Sequence, residues 1–187
     1  MESVDDVILE ADDKMGKAVE FLHKELNGLR TGKASPSMVE NIQVDYYGAA
    51  TRLREIANIS TPEPRLLVIN PYDPTSIGAI DKAILAANIG VTPISDGRII
   101  RIPVPELSEE RRKDLVKVAR KLAEDARVAV RNVRRDSNEL VKALQKSAGV
   151  SEDERDRGLE EVQKSTDDYI RKIDAMVAAK EKEVLAV

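Results

Sequence analysis

The sequence predicts an α+β protein: an elongated three-helix bundle interrupted by a small inserted β/α/β domain. Three observations predict it. Long stretches at both ends of the 187-residue chain carry apolar residues at every third or fourth position, the mark of helices with one buried seam. Between them, residues 31–104 change to short apolar runs punctuated by Gly and Pro, the mark of strands and turns. A long helix with a single apolar seam is not stable alone, so the first helix must close against the last two. The bundle is then discontinuous, residues 1–30 plus 105–187, with residues 31–104 inserted and joined by a two-strand hinge.

Residues 3–29 read as one helix, with Val4, Ile8, Ala11, Met15, Ala18, Leu22, Leu26 and Leu29 along the seam. Ser3 suits its start, and Asp5 and Asp6 face the positive end of the helix dipole. Residues 41–47 alternate Ile42, Val44, Tyr46 against Gln43, Asp45, Tyr47, a half-buried strand turned by Gly48. A second, weaker strand is expected over 53–60, and the apolar run 65–70 reads as a buried strand. Thr75 or Ser76 can cap a helix to about Asn88 with Ile77, Ile80 and Ile84 on one face, and Gly90 ends it. Residues 91–95 and 98–104, around Asp96-Gly97, read as a hairpin.

The second long helix follows Ser108, part of an incomplete capping box with Leu107 just before it, and runs to about Lys146. At about 36 residues it would be roughly 54 Å long. Its expected apolar face is Leu115, Val118, Leu122, Ala126, Ala129, Val133, Leu140 and Leu144. Ala148-Gly149-Val150 breaks it. A complete capping box, Ser151 to Glu154, starts the third helix, whose face is Leu159, Val162, Thr166, Tyr169, Ile173, Met176 and Val184.

Charge is distributed unevenly. Residues 111–146 hold twelve Lys or Arg against five acids, net +7 in a chain of net charge −4, so the remainder carries −11. Lys113, Lys117, Arg120, Arg127, Arg131, Arg134 and Arg135 are expected opposite the apolar face, with only Glu124 among them. A solvated helix face usually mixes signs at i, i+4 spacing. This one favours contact with a polyanion, RNA or DNA, over a merely solvated face.

Other chemistries find little support. No cysteine is present, which removes disulfides, thiol nucleophiles and cysteine-bound zinc and fits a reducing compartment. The single histidine, His23, has no second ligand or nucleophile to work with. Neither glycine-rich phosphate signature occurs. Aromatics are 3%, too few for the base-stacking platforms of single-strand binders; Tyr46 and Tyr47 are expected in strand packing. The acidic, amphipathic N-terminus does not read as a signal peptide, and no apolar run approaches a membrane span, so a cytoplasmic location is expected. Residues alone leave two further readings: a general nucleic-acid-binding bundle, and a coiled-coil module whose stripe meets an acidic protein.

Four stretches in order decide more. Leu29-Arg30-Thr31-Gly32-Lys33-Ala34-Ser35-Pro36, Tyr46-Tyr47-Gly48, the run Ser108-Glu109-Glu110-Arg111-Arg112-Lys113, and residues 127–136 (RVAVRNVRRD) together resemble the ribosome recycling factor family over the whole chain. The resemblance implies an L-shaped, non-catalytic translation factor, a monomer without cofactor or small-molecule substrate. It would bind the large ribosomal subunit and, with elongation factor G and that partner's GTP hydrolysis, separate the subunits, freeing messenger RNA and the last transfer RNA. It also implies RNA contacts from Arg131, Arg134 and Arg135, with Arg127, Arg120 and Arg30 on the same surface. Lys33 stands where members often have Arg, keeping the charge but losing the bidentate fork. The crossings Thr31, Gly32, Pro36, Pro103, Val104 and Pro105 are the expected hinge.

Overall fold

The computed structural model describes residues 3–147 and 149–186. The chain divides into two compact units, Met1–Thr31 with Glu109–Val187, and Gly32–Ser108.

The first unit is three long helices: α1, Val4–Gly28; α4, Glu109–Ser147; and α5, Glu152–Leu185. Ser3 caps α1, its hydroxyl accepting from the Asp6 amide at 3.1 Å. The Ser151–Glu154 capping box starts α5 as expected. The break expected at Ala148-Gly149-Val150 falls partly on Ala148, outside the described residues; Gly149 has φ +68°. The seam of α1 buries Ala11, Met15, Leu22 and Leu26 in a cluster with Ala119, Ala123 and Val130 of α4 and Val162 and Ile173 of α5, while Val4 and Val7 cluster with Val141 of α4. α1 runs antiparallel to α4, because Val7 meets Leu140 at one end and Leu22 meets Leu122 at the other.

The seam of α4 differs from the expected one. The buried residues are Leu115, Val116, Ala119, Ala123, Ala126, Val130, Ser137 and Val141, while Val118 and Leu140 are 43% and 41% exposed. At 100° per residue the true seam is rotated by roughly 60° from the one that the larger apolar residues suggest. Ala119, Ala123 and Ser137 take seam positions, while the larger Val118 and Leu140 lie on the flank. The basic stripe therefore sits beside the seam rather than opposite it.

Gly158 marks another close approach. It is buried inside α5, and a methyl group added there would lie 2.5 Å from Val4 Cγ1 and 3.4 Å from Val141 Cγ1. Gly158→Ala would gain about 1 kcal/mol of helix propensity, against overpacking worth about 1–3 kcal/mol. The expected result is a net loss of up to about 2 kcal/mol in urea unfolding. In a Val4→Ala background the same substitution should become neutral or stabilising. Equal effects in both backgrounds would contradict the contact.

The second unit carries the hairpin β1–β2 (Gln43–Tyr46 and Ala49–Arg52) and a four-stranded antiparallel sheet in the order β3-β4-β6-β5. Its strands are Ala57–Glu63 (β3), Leu66–Pro71 (β4), Ile94–Ser95 (β5) and Ile100–Pro103 (β6). Leu67 and Ile69 of β4 and Ile100 and Ile102 of β6 point to one face, where Ile77, Ile80 and Ile84 of α3 (Ile77–Ala86) cover them. Tyr47 and Gly48, at φ +51° and +82°, close the β1–β2 hairpin. The strand expected over 53–60 begins only at Ala57. Leu53–Ile56 is instead one helical turn, α2, which puts both Leu53 and Ile56 into the core; a strand would send them to opposite faces. The turn before α3 is capped by Asp73, whose Oδ1 accepts from the Thr75 amide, rather than by Thr75 or Ser76. Tyr46 packs partly against the core, while Tyr47 is exposed and donates to Asp73 Oδ2 at 2.6 Å.

Candidate RNA-binding face

Arg120, Arg127 and Arg134 of α4 reach toward α5, and the acids that answer the stripe come from α5 and from α4 itself. Arg120 makes a bidentate pair with Glu181, Nε to Oε1 at 2.6 Å and Nη2 to Oε2 at 3.3 Å. Arg127 donates from Nε to Asp174 Oδ1 at 2.9 Å and from Nη1 to Glu124 Oε2 at 3.0 Å. Arg131 takes the other oxygen of Glu124 at 3.1 Å. Glu124 thus bridges two arginines of its own helix instead of interrupting the stripe. Arg134 reaches only Gln163 Oε1, at 3.4 Å, and Arg135 is exposed with no partner among the described residues.

These contacts shift the titrating groups in the expected directions. Hydrogen bonds from Arg127 and then Arg131 lower the Glu124 carboxyl, and the Arg120 hydrogen bond lowers that of Glu181. Burial opposes charge on Arg127, but Asp174 and Glu124 outweigh it and raise its guanidinium further. The Arg131–Glu124 pair lies at the surface, where an ion pair contributes about 0–1 kcal/mol, whereas Arg127 is only 22% exposed.

The stripe is graded along the helix. Charge at its Arg120 and Arg127 end is largely neutralised within the protein. Arg134 and Arg135 are offered to a partner, and Arg131 shares one carboxylate. From Arg127 to Arg135 is eight residues, about 12 Å of helix. A cluster of guanidinium groups on a rigid rod suits phosphate oxygens, which accept the same forked hydrogen bonds as carboxylates.

Arg30 is exposed just beyond the last turn of α1, and it has a partner of its own. The neighbouring Thr31 is buried and donates from Oγ1 to Glu183 Oε1 at 3.0 Å, close along α5 to the Arg120 partner Glu181. The structure thus places Arg30 toward the Arg120 end of the stripe and away from Arg134 and Arg135. Lys33 is exposed in the other unit.

The expected hinge residues separate into two groups. Pro36 opens a 3-10 turn, Pro103 pairs with Leu66 in the sheet, and the Val104 amide donates to Arg65 O at 2.8 Å, so these three are built into the inserted unit. Glu106 forms an ion pair with Arg65. Thr31 is held in the bundle by Glu183, which also meets the buried Lys180 at 3.5 Å. Gly32, at φ +80°, and exposed Pro105 are left as the expected pivots without such ties. Sequence reasoning misses Glu181, Asp174, Gln163 and Glu183. They come from a helix tens of residues away, and no local pattern links them to their partners.

A sequence profile of the ribosome recycling factor family matches residues 22–185. The chain belongs to that family. Ribosome-recycling factors named as such include that of Natranaerobius thermophilus, 54% identical over 97% of this chain and 98% of the relative. Those of Syntrophomonas wolfei, 50% identical over 98% and 100%, and Bacillus subtilis, 51% identical over 97% and 98%, are similar throughout. Among solved structures, the solution structure of a ribosome recycling factor covers 100% of both chains at 43% identity with a TM-score of 0.80. A second, at 42% identity and TM-score 0.65, covers 98% of this chain and 99% of the other. It is the T. thermophilus ribosome recycling factor with E. coli elongation factor G bound to the E. coli post-termination complex. Family membership thus extends over both units of the chain.

Proposed function

We propose that this protein binds the ribosome after peptide release and anchors α4 on large-subunit ribosomal RNA. With elongation factor G and its GTP hydrolysis, it then splits the subunits and frees messenger RNA and deacylated transfer RNA. The observation that carries this reading is the Arg131–Arg134–Arg135 cluster on a rigid helix, Arg135 exposed and the other two partly so, in a chain whose family match runs over residues 22–185. The work is mechanical. Phosphate contacts hold the bundle, and the inserted unit turns about Gly32 and Pro105 when elongation factor G presses on it. The protein contributes no chemical step and no cofactor of its own, and acts in the cytoplasm as a monomer. Among the described residues, no helix is long and apolar enough to cross a membrane.

Light scattering of purified post-termination complexes tests this reading. Adding the protein with elongation factor G and GTP should dissociate them, and omitting either factor should not. No dissociation with all components present would overturn it. Gly32→Ala tests the pivot. A side chain at φ +80° is strained by about 1–2 kcal/mol, and its Cβ would lie 3.2 Å from Leu107 Cγ. The variant should split complexes at least tenfold more slowly while pelleting with large subunits as before. Full-rate splitting would place the pivot elsewhere.

A further inference from the structure

The flank of α4 facing away from the arginines carries a feature that RNA binding does not use. Between α1 and α4 runs an apolar groove of about 270 Å³. Phe21, the only phenylalanine of the chain, lines it and is 64% exposed. Opposite stand Leu122 and Ala129, with the exposed Val118 one turn from Leu122. These three α4 residues belong to the stripe that periodicity suggests as the bundle seam. The true seam is rotated away from that stripe and takes in Ala119, Ala123 and Ser137, so part of the apolar surface of α4 is left outside the core. A single exposed apolar residue needs no explanation, but a lined groove does.

Its rim is acidic. Glu25 and Asp125 line the groove, and neither has a partner among the described residues. Other acids of α1 do: Glu10 pairs with Lys14, Asp13 with Lys17 and Glu20 with Lys24. Two unanswered carboxylates beside an apolar slot repel RNA and favour a cation. They also oppose a two-fold contact between copies of this chain, which would bring the two acidic rims together. We propose that the α1–α4 groove docks a basic protein segment, which inserts one large apolar side chain between Phe21, Leu122 and Ala129 and sets flanking Lys or Arg against Glu25 and Asp125. Because the arginines lie on the α5 flank, both surfaces can be occupied at once. The protein can then grip RNA with one side of the bundle and a basic protein with the other.

The test uses the full chain and no ribosome, so its failure leaves the recycling reading intact. The probe is an acetylated peptide, Lys-Arg-Leu-Phe-Lys-Arg, titrated into isotope-labelled protein and followed by NMR. Saturable shifts are expected at Phe21, Leu122 and Ala129. A control with the same Leu-Phe core between Glu and Asp residues should bind at least tenfold more weakly. The double variant Glu25→Lys with Asp125→Lys should weaken the basic peptide at least tenfold and reverse the preference. Phe21→Ala should reduce binding while leaving the melting curve unchanged, since Phe21 lies outside the core. Four outcomes would overturn the proposal: no saturable shift at these residues, equal binding of both peptides, the same shifts produced by an oligouridylate, or shifts that grow with protein concentration alone.

Discussion

Replacing Arg131, Arg134 and Arg135 together with alanine should weaken binding to purified large ribosomal subunits on the order of 1,000-fold, taking about 1.5 kcal/mol for each charge-assisted hydrogen bond. The salt dependence should fall as well. Each phosphate that is no longer neutralised takes about 0.7–0.9 off the slope of log K against log salt, so the triple variant should be shallower by about 2. Thermal unfolding should barely move, because Arg134 and Arg135 make no ion pair among the described residues and the Arg131–Glu124 pair lies at the surface. Arg120→Ala is the informative contrast. Its guanidinium already holds Glu181 in a bidentate pair, so its removal should weaken binding only a few-fold. If the triple variant pellets with subunits at full strength across a salt series, the RNA-binding face lies elsewhere. A larger effect from Arg120→Ala than from Arg134→Ala would mean that the pairs with α5 open on binding and that the charged face is longer than the free cluster.

Deleting residues 1–31 should abolish cooperative folding of residues 109–187. Val4, Val7, Met15, Leu22 and Leu26 of α1 are all at most 4% exposed. At about 1.5–3 kcal/mol for each buried large side chain, their removal is comparable to the whole stability of a domain, about 5–15 kcal/mol. The remaining pair, α4 and α5, would expose Val130, Val162 and Ile173 along an uncovered seam. The expected readout is disappearance of the sigmoidal melt in circular dichroism. The complementary variant replaces residues 32–108 with a short Gly/Ser linker. It should keep a helical bundle that melts cooperatively and still binds large subunits but does not split post-termination complexes. A cooperative melt after deletion of α1 would mean that α4 and α5 form a stable hairpin without it. Splitting by the linker variant would remove the inserted unit from the mechanism.

Much of the fold is legible because burial leaves periodicity in a chain. The seam of α1 is readable from Val4, Ala11, Met15, Leu22 and Leu26, and that of α5 from Val162, Thr166, Ile173 and Val184, since large apolar residues dominate the packing in both. The Ser3 cap and the Ser151–Glu154 capping box are readable for a similar reason: they satisfy backbone groups within a few residues of themselves. Alternation locates β1, and a continuous apolar run locates β4. The α2 turn escapes such reading because Leu53 and Ile56 are too few residues to establish a period.

The sequence by itself determined the long helices and most of the strands, that positive charge gathers on one helix, and to which family the chain belongs. Those properties reside in local spacing, composition and order along the chain. Only the tertiary structure decided which way α4 faces. Half of its buried seam is Ala119, Ala123, Ala126 and Ser137, which contribute little hydrophobic signal yet fit a close-packed interface. The neighbouring helix likewise decides which arginines are free. Glu181 and Asp174 neutralise Arg120 and Arg127, while Arg134 meets only an amide and Arg135 meets no acid among the described residues. An ion pair between residues far apart in sequence exists only once two helices lie side by side, and no period along one helix encodes it.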